Sequence, residues 1–316
     1  IFNMSDSQGI SPFATNVTST IHRTVYPSID ASRPELSQAG KTVLITGGTV
    51  GIGFDVAKRF ITASASTVII TGRRKEQLEK AIASLKEFAA SAKKDVNIIG
   101  ESSDVADPAA VDSLWSGLAD KKIIVDVLIL NAARFAVPKP LFELGIDHVW
   151  ESFEVNVRGP IHFAEKFYKQ AGGEDIPKSL INISTQSIHE SKPQYIPLAA
   201  SRPEYGLTKG AGTLAMQYIA QEVDPAKFQV VSFHPGIVYT EPWQVMGASP
   251  DTMDFDDVAL AGNYAVWAAS GEARFLHGRF TWAAWDVEEL RRDLGGRLEE
   301  DADFLRVSVA GLRGGD

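Results

Sequence analysis

From Lys41 onward the chain alternates short, continuous runs of β-branched and leucine residues with longer amphipathic stretches. That alternation leaves few folds open other than a parallel sheet built from βαβ units. Strands are predicted at 42–46, 67–71, 96–100, 125–130, 180–184 and 229–233, and none alternates polar with apolar, as befits strands covered on both faces. Helical periodicity predicts 52–63, 75–92, 108–119, 142–170 with a break near Gly159-Pro160, 204–222 and 258–269. Asp107-Pro108 reads as an N-cap followed by the first helical residue. With no repeat of solenoid length and no second core, the expected fold class is α/β. A single doubly wound parallel sheet spans 41–316 in this reading, with ligand chemistry at the carboxyl ends of its strands.

The first strand runs straight into Thr46-Gly47-Gly48-Thr49-Val50-Gly51-Ile52-Gly53 and then into a helix. A glycine-rich turn placed there can receive a pyrophosphate, because glycines turn tightly, let backbone approach phosphate and let the helix pack close to the strand. The spacing is G-x-x-x-G-x-G, not G-x-G-x-x-G, and no Gly-Lys-Ser/Thr follows, so this is no Walker A loop. An acid that would hold a ribose 2′-hydroxyl belongs about 20 residues on, at the end of the second strand. That place reads Thr71-Gly72-Arg73-Arg74. Two guanidinium groups and no carboxylate suit a 2′-phosphate, each charge-assisted hydrogen bond being worth roughly 1.5–3 kcal/mol. NADP(H) is therefore expected over NAD(H), with Arg73 the main contact and Arg74 beside it.

Tyr205-Gly206-Leu207-Thr208-Lys209 puts Tyr205 and Lys209 one helical turn apart on one face. A Y-x-x-x-K motif after the fifth strand, downstream of a dinucleotide turn, resembles the short-chain dehydrogenase/reductase family. The resemblance runs from Lys41 to about Arg279. It includes TGGTVGIG for T-G-x-x-x-G-x-G, Asp104 in SSDVAD for the adenine-side Asp, and LNAA ending at Ala133 for N-N-A-G. VNV around Asn156, NIST ending at Thr185 for N-[IV]-S-S, and HPGIVYT ending at Thr240 for P-G-x-x-x-T complete it. The resemblance implies a Rossmann-like fold that moves a hydride between nicotinamide and a carbonyl or secondary alcohol. It also implies cofactor contacts at Gly47, Thr49, Val50, Gly51, Ile52 and Gly53, at Asp104 and Val105, and at Asn131, Ala132 and Ala133. Further contacts are implied at Tyr205 and Lys209, and at Pro235, Gly236, Ile237 and Thr240.

The chemistry so implied can be checked on physical grounds. Carbonyl reduction needs a proton donor at the developing alkoxide, and an ordinary tyrosine pKa near 10 is too high for easy exchange at neutral pH. The Lys209 ammonium, with the positive oxidised nicotinamide, can lower Tyr205 by roughly 1–3 units per close cation. Asn156 resembles the family residue that holds a water linking Lys209 to solvent. The hydroxyl that orients the carbonyl is usually a Ser, and here Thr185 stands in its place; Ser184 and Ser187 are the alternatives. The stretch from Gln186 to Pro203 is longer than the family usually has, and it borders the substrate. Residues 241–257 correspond to a lid, with Trp243, Met246 and Phe255 supplying an apolar inner face. Phe135, Val137, Tyr195 and Ile196 are expected to add to the same pocket, which then suits a bulky, fairly apolar molecule and a place in specialised metabolism.

Composition narrows the remainder. There is no Cys among 316 residues, which removes disulfides, thiolate metal sites and Cys nucleophiles. A formal charge of −9 with no basic run disfavours nucleic acid and anionic membranes as partners. The six His show no metal-ligand spacing, so no metal is expected. No stretch approaches the ~18 apolar residues of a membrane helix, and the beginning of the sequence lacks the pattern of a signal peptide, so the cytoplasm is the expected compartment. Ile1-Phe2-Asn3 ahead of Met4 carries no functional weight. Residues 1–40, rich in Ser, Thr and Pro, read as an arm that packs on its own domain or a neighbouring subunit, with a flexible tail as the alternative. The aromatics of 280–285 are expected to bury a C-terminal helix or a subunit contact. By resemblance the chain forms a homodimer or homotetramer through 142–170 and 204–222. Two other readings stand beside the NADP(H)-dependent reductase. One is a non-redox dehydratase, isomerase or cyclase on the same fold, motivated by Thr185 and the long insertion. The other is a cofactor-sensing binding protein, against which the intact Tyr205, Lys209 and Asn156 argue.

Overall fold

The computed structural model describes residues 16–135, 137–189, 202–245 and 247–309. Seven parallel strands form one sheet in the order β3-β2-β1-β4-β5-β6-β7. The first half runs β1 (Thr42–Ile45), α1 (Gly51–Thr62), β2 (Thr67–Gly72), α2 (Lys75–Ser91), β3 (Asn97–Ser102), α3 (Pro108–Asp120) and β4 (Val127–Leu130). It is followed by α4 (Leu141–Leu144), α5 (Ile146–Phe153), a π-helical turn (Glu154–Arg158) and α6 (Gly159–Lys169). The second half runs β5 (Lys178–Ile183), α7 (Pro203–Gln221), β6 (Phe228–His234), α8 (Glu241–Val245), α9 (Val258–Ala268), β7 (Phe280–Trp282) and α10 (Val287–Glu300).

Alternate residues of each strand point to opposite faces, and both faces are covered. Val43, Ile45, Val68, Ile70, Ile129, Ile181 and Phe233 pack with Phe60 of α1, Leu78 of α2 and Tyr264 of α9. Leu44, Ile69, Leu128, Leu180 and Val230 pack with Trp115 of α3, Phe163 and Phe167 of α6 and Met216 of α7. This two-sided burial is why the strands read as unbroken apolar runs.

The sheet gains a seventh strand that the sequence pattern did not announce. β7 has only three residues, too few for a periodic signal, and its register with β6 (Ser232 to Phe280, His234 to Trp282) carries the sheet past Arg279. Phe280 and Trp282 pack with Trp285 and with Leu290 of α10. β4 starts later than expected because the Gln170 side chain brackets Val125, accepting from its N–H at 2.9 Å and donating to its carbonyl at 2.6 Å. The expected break at Gly159-Pro160 is not a break. A π turn at 154–158 widens the helix just ahead of Pro160, which has no N–H to give, and α6 continues from Gly159.

Residues 16–40 lie against the domain. Tyr26, Ile29 and Leu36 enter the core, and the Asn263 side chain of α9 accepts from the Ala31 N–H at 2.7 Å. Among the described residues no helix is long and apolar enough to cross a membrane.

Gly159 marks the tightest crossing between α6 and the loop after β3, since a Cβ there would lie 2.5 Å from the Val105 carbonyl oxygen. Gly159→Ala is expected to cost about 1–3 kcal/mol in urea unfolding. Gly117→Ala in α3, where a Cβ meets nothing within 4 Å, is expected to be neutral or stabilising by up to about 1 kcal/mol.

Candidate active site

The glycine turn after β1 is held open by its neighbours. Gly47 and Gly51 have φ of 66° and 57°, conformations that L side chains rarely adopt. A Cβ at Gly53 would lie 2.4 Å from Asn131 Nδ2, so the first turn of α1 sits directly on the end of β4. Asn131 Nδ2 donates to the Thr46 and Gly47 carbonyls, both at 3.0 Å, while Thr46 Oγ1 accepts from the N–H groups of Asn131 (3.0 Å) and Ala132 (3.1 Å). Asn131 therefore gives its side-chain amide protons to shaping the turn. Val50 precedes α1 without a capping side chain, leaving the first N–H groups of that helix open to an anion. Thr240 stands opposite, its Cγ2 3.4 Å from a Cβ position at Gly51.

At the adenosine end, Arg73 and Arg74 are both exposed just past β2. Arg73 reaches to 3.7 Å from Asp104, whose other oxygen accepts from the Ala106 N–H at 3.0 Å. Thr71 Oγ1 and Ser103 Oγ, buried at the carboxyl ends of β2 and β3, have no hydrogen-bond partner. These two orphaned hydroxyls were not legible in the sequence, and they lie where the polar edge of a nucleoside would satisfy them.

At the reacting end, Tyr205 stands in the first turn of α7 with the Thr185 hydroxyl beside its phenol. Burial, with Glu204 beside it, pushes the phenol above the ordinary tyrosine range, and the Thr185 hydroxyl pulls the other way. Lys209, one turn on and buried, donates to the Ile183 carbonyl at 2.6 Å, and burial lowers its pKa to about 8. Thr185 also accepts from the Ser187 N–H at 3.2 Å. Ser184 faces away from Tyr205 and shares a 2.6 Å hydrogen bond with Thr213 inside α7. Of the three hydroxyls considered, Thr185 is the one the structure brings to the phenol.

Asn156 sits in the π turn with its side chain fully engaged. Its Oδ1 accepts from the Arg134 N–H at 2.8 Å, and its Nδ2 donates to the Arg134 carbonyl at 3.0 Å and to Thr208 at 2.9 Å. The amide thus ties the loop after β4 to the helix of Tyr205 and Lys209 and has no donor left for a water.

The expected pocket residues divide. Phe135 stacks edge-on against Tyr205 (centroids 4.5 Å apart), with the buried Arg202 guanidinium 4.5 Å from its ring centroid on α7's leading edge. Phe135 thus supports the phenol. Val137 is exposed. Trp243 packs on Phe255 at 5.2 Å, and Tyr239 does so at the same distance, so these three rings form a small core of their own. Tyr195, Ile196 and Met246 lie outside the described residues. The turn after β6 departs from expectation at Ile237: its N–H donates to Asp256 Oδ2 at 2.7 Å, and its carbonyl accepts from the Asp256 N–H at 2.9 Å. Val238, next along and bridged in parallel to Asp256, turns its own main-chain groups the opposite way. Trp282, which sequence reading assigned to packing a C-terminal helix or a subunit contact, also donates through Nε1 to His189 at 3.3 Å, and its ring lies 4.9 Å from His234. Burial lowers the two imidazoles to about 4 and about 3, so both are neutral at neutral pH. No group of three or more His, Asp or Glu among the described residues could hold a metal ion.

The profile of the short chain dehydrogenase family matches residues 41–250. Short chain dehydrogenase/reductase AacuD of Aspergillus aculeatus is 30% identical over 292 residues, covering 92% of this chain and 96% of its own. The structure resembles L-sorbose reductase of Gluconobacter frateurii, solved with NADPH and L-sorbose, at a TM-score of 0.66 and 20% identity over 78% of this chain and 96% of that one. It also resembles the NADP complex of RhlG from Pseudomonas aeruginosa, at 0.67 and 18% over 79% and 97%. A parallel sheet with a glycine turn at one strand end and a Tyr–Lys pair two strands away defines an oxidoreductase scaffold. The chain belongs to the short-chain dehydrogenase/reductase family.

Lys209 gives the site a pH signature in stability. Below about 8 its amine is charged in both folded and unfolded chains; between about 8 and the ordinary 10.5 only the unfolded chain keeps the proton, so stability contributed here rises with pH. The rise is up to about 1.4 kcal/mol per pH unit inside that window. Urea unfolding at several pH values is expected to show this slope in the wild type relative to Lys209→Met.

Proposed function

We propose that the protein is an NADP(H)-dependent reductase or dehydrogenase acting on a carbonyl or secondary alcohol of a bulky, fairly apolar small molecule, with a place in specialised metabolism. The observation that carries this reading is the Thr185 hydroxyl beside Tyr205 with Lys209 one turn behind, at the same sheet edge as the open glycine turn. The cradle fits a dinucleotide: two glycines with positive φ, an uncapped α1 and the orphaned Thr71 and Ser103 hydroxyls all lie along one edge. Arg73 and Arg74, with no carboxylate in the second strand's final positions, favour a 2′-phosphate, and two structural neighbours were solved with NADPH or NADP.

The bound cofactor would supply or accept the hydride. Thr185 orients the substrate oxygen and Tyr205 gives it a proton, or takes one in the reverse direction. Lys209, largely charged near neutral pH, lowers the cost of the phenolate. Phe135 and Arg202 brace the phenol from the side, and Asn156 holds α7 against the loop after β4. Val238 offers main-chain groups to the nicotinamide amide in the place expected of Ile237. Residues 241–257 cover the substrate.

NADPH consumption is expected with aromatic or polyketide-like ketones, with NADH at least about tenfold poorer. Arg73→Ala with Arg74→Ala should erase that preference, and Tyr205→Phe should lower turnover by about 10²-fold or more. NADPH binding without turnover of any ketone, and a product unchanged in oxidation state, would favour a dehydratase or isomerase instead.

A homodimer or homotetramer belongs to the same proposal. α4, α5 and α6 present Phe142, Ile146, Trp150 and Ile161 to solvent, and α7 presents Leu207 and Tyr218. Apolar side chains gathered on adjoining helices need a cover. Trp150→Glu with Leu207→Glu is expected to shift the protein to a smaller species in light scattering.

A further inference from the structure

Residues 16–38 run as a strap across the C-terminal half of the molecule. Glu289 of α10 accepts from the N–H groups of Ser19 and Thr20 at 2.6 and 3.1 Å, and Ile21 bridges antiparallel to Trp285. His22 lies 2.9 Å from Asp286 and stacks on Tyr26, whose hydroxyl donates to the Trp285 carbonyl at 2.9 Å. These contacts fix where Arg23 stands.

Arg23 grips the far end of the lid at two points. Its Nη1 donates to the Asp254 carbonyl at 2.6 Å, and its own carbonyl accepts from the Asp257 N–H at 2.9 Å. Asp257 in turn caps α9 through the Ala259 N–H, so the hinge at 254–257 is pinned between strap and helix. Between those pinned residues sits Asp256, which clasps both main-chain groups of Ile237 and fills the space beside Gly236. With φ of 94°, Gly236 sits where only a glycine is unstrained, and a Cβ there would meet Asp256 Oδ2 at 2.7 Å. The Asp256 carboxyl is half-buried and its pKa is raised by that burial, with Arg23 nearby opposing the shift. The consequence is directional: with Ile237 turned toward Asp256, Val238 must turn toward the cofactor side.

We propose that Arg23 and Asp256 are positioning residues for the nicotinamide end of the cofactor. The strap fixes the hinge, and the hinge fixes the turn 235–238 that meets the nicotinamide. The family motifs begin at β1 and give the strap no such part. The proposal rests on the dinucleotide reading above, and its test separates the two.

Dissociation constants for NADPH and for 2′,5′-ADP, which is its adenosine half alone, are measured by calorimetry on the full chain. Arg23→Ala is expected to weaken NADPH about fivefold and Asp256→Ala about tenfold, the worth of one or two hydrogen bonds, with 2′,5′-ADP unchanged within about twofold. Arg23→Lys, which can still reach the Asp254 carbonyl, should recover most of the loss. Asp256→Asn, which keeps an acceptor for Ile237, should bind NADPH within about twofold of wild type. Equal losses for both ligands would mean general loosening and would overturn the proposal, as would no loss for either. The pair NADH and 5′-ADP is run in parallel. If the wild type takes only that pair, the 2′-phosphate reading falls while the strap is judged on the same split; binding of neither pair overturns both.

Discussion

Everything at the working edge of this protein depends on how closely the turn after β1 can approach the end of β4. The contact is backbone against side-chain amide, with no room for a Cβ at Gly53 and little at Gly47, where Ala132 already stands 3.0 Å away. The close approach brings Asn131 and Thr46 into reciprocal hydrogen bonds, so the glycine turn is satisfied from one side and leaves its other side to a ligand. It also sets the level at which β4 stops and the loop bearing Arg134 and Phe135 departs. From there Asn156 carries the geometry on, binding the Arg134 main chain on one side and Thr208 on the other. Phosphate turn and Tyr–Lys helix are thus parts of one hydrogen-bonded framework.

Electrostatics then separates the two ends. The adenosine end is exposed, with both of its arginines in water. The reacting end is dry: desolvation raises Tyr205 and lowers Lys209, moving two groups of similar ordinary pKa apart, each toward its uncharged form. The neutral His189 and His234 beside Trp282 extend the dry region along β7, so the sheet's last strand adds to the apolar character of this edge.

Much of this was legible in the sequence where residue identity and backbone geometry are coupled locally. A buried parallel strand must be apolar on both sides, a tight phosphate turn must be glycine, and a Tyr–Lys pair four apart on a helix must share a face. The strands up to β6, the glycine turn, the arginine pair and the Tyr–Lys helix follow from such local rules. β7 did not show, because three residues make no period. The π turn did not show either, since one extra residue in a helix leaves no compositional mark.

What the sequence by itself determined is the class of fold and the kinds of group brought to its edge, because period, glycine placement and charge are properties of neighbouring residues. Only the tertiary structure decided which of three hydroxyls meets the phenol, since Ser184 is taken by Thr213 from a different element. It alone turned Ile237 toward Asp256, set Phe135 edge-on against Tyr205, and laid the strap of 16–38 against residues 254–257. Each of those outcomes depends on which partner, tens or hundreds of residues away, claims a hydrogen bond or a ring face first, and no local pattern records that competition.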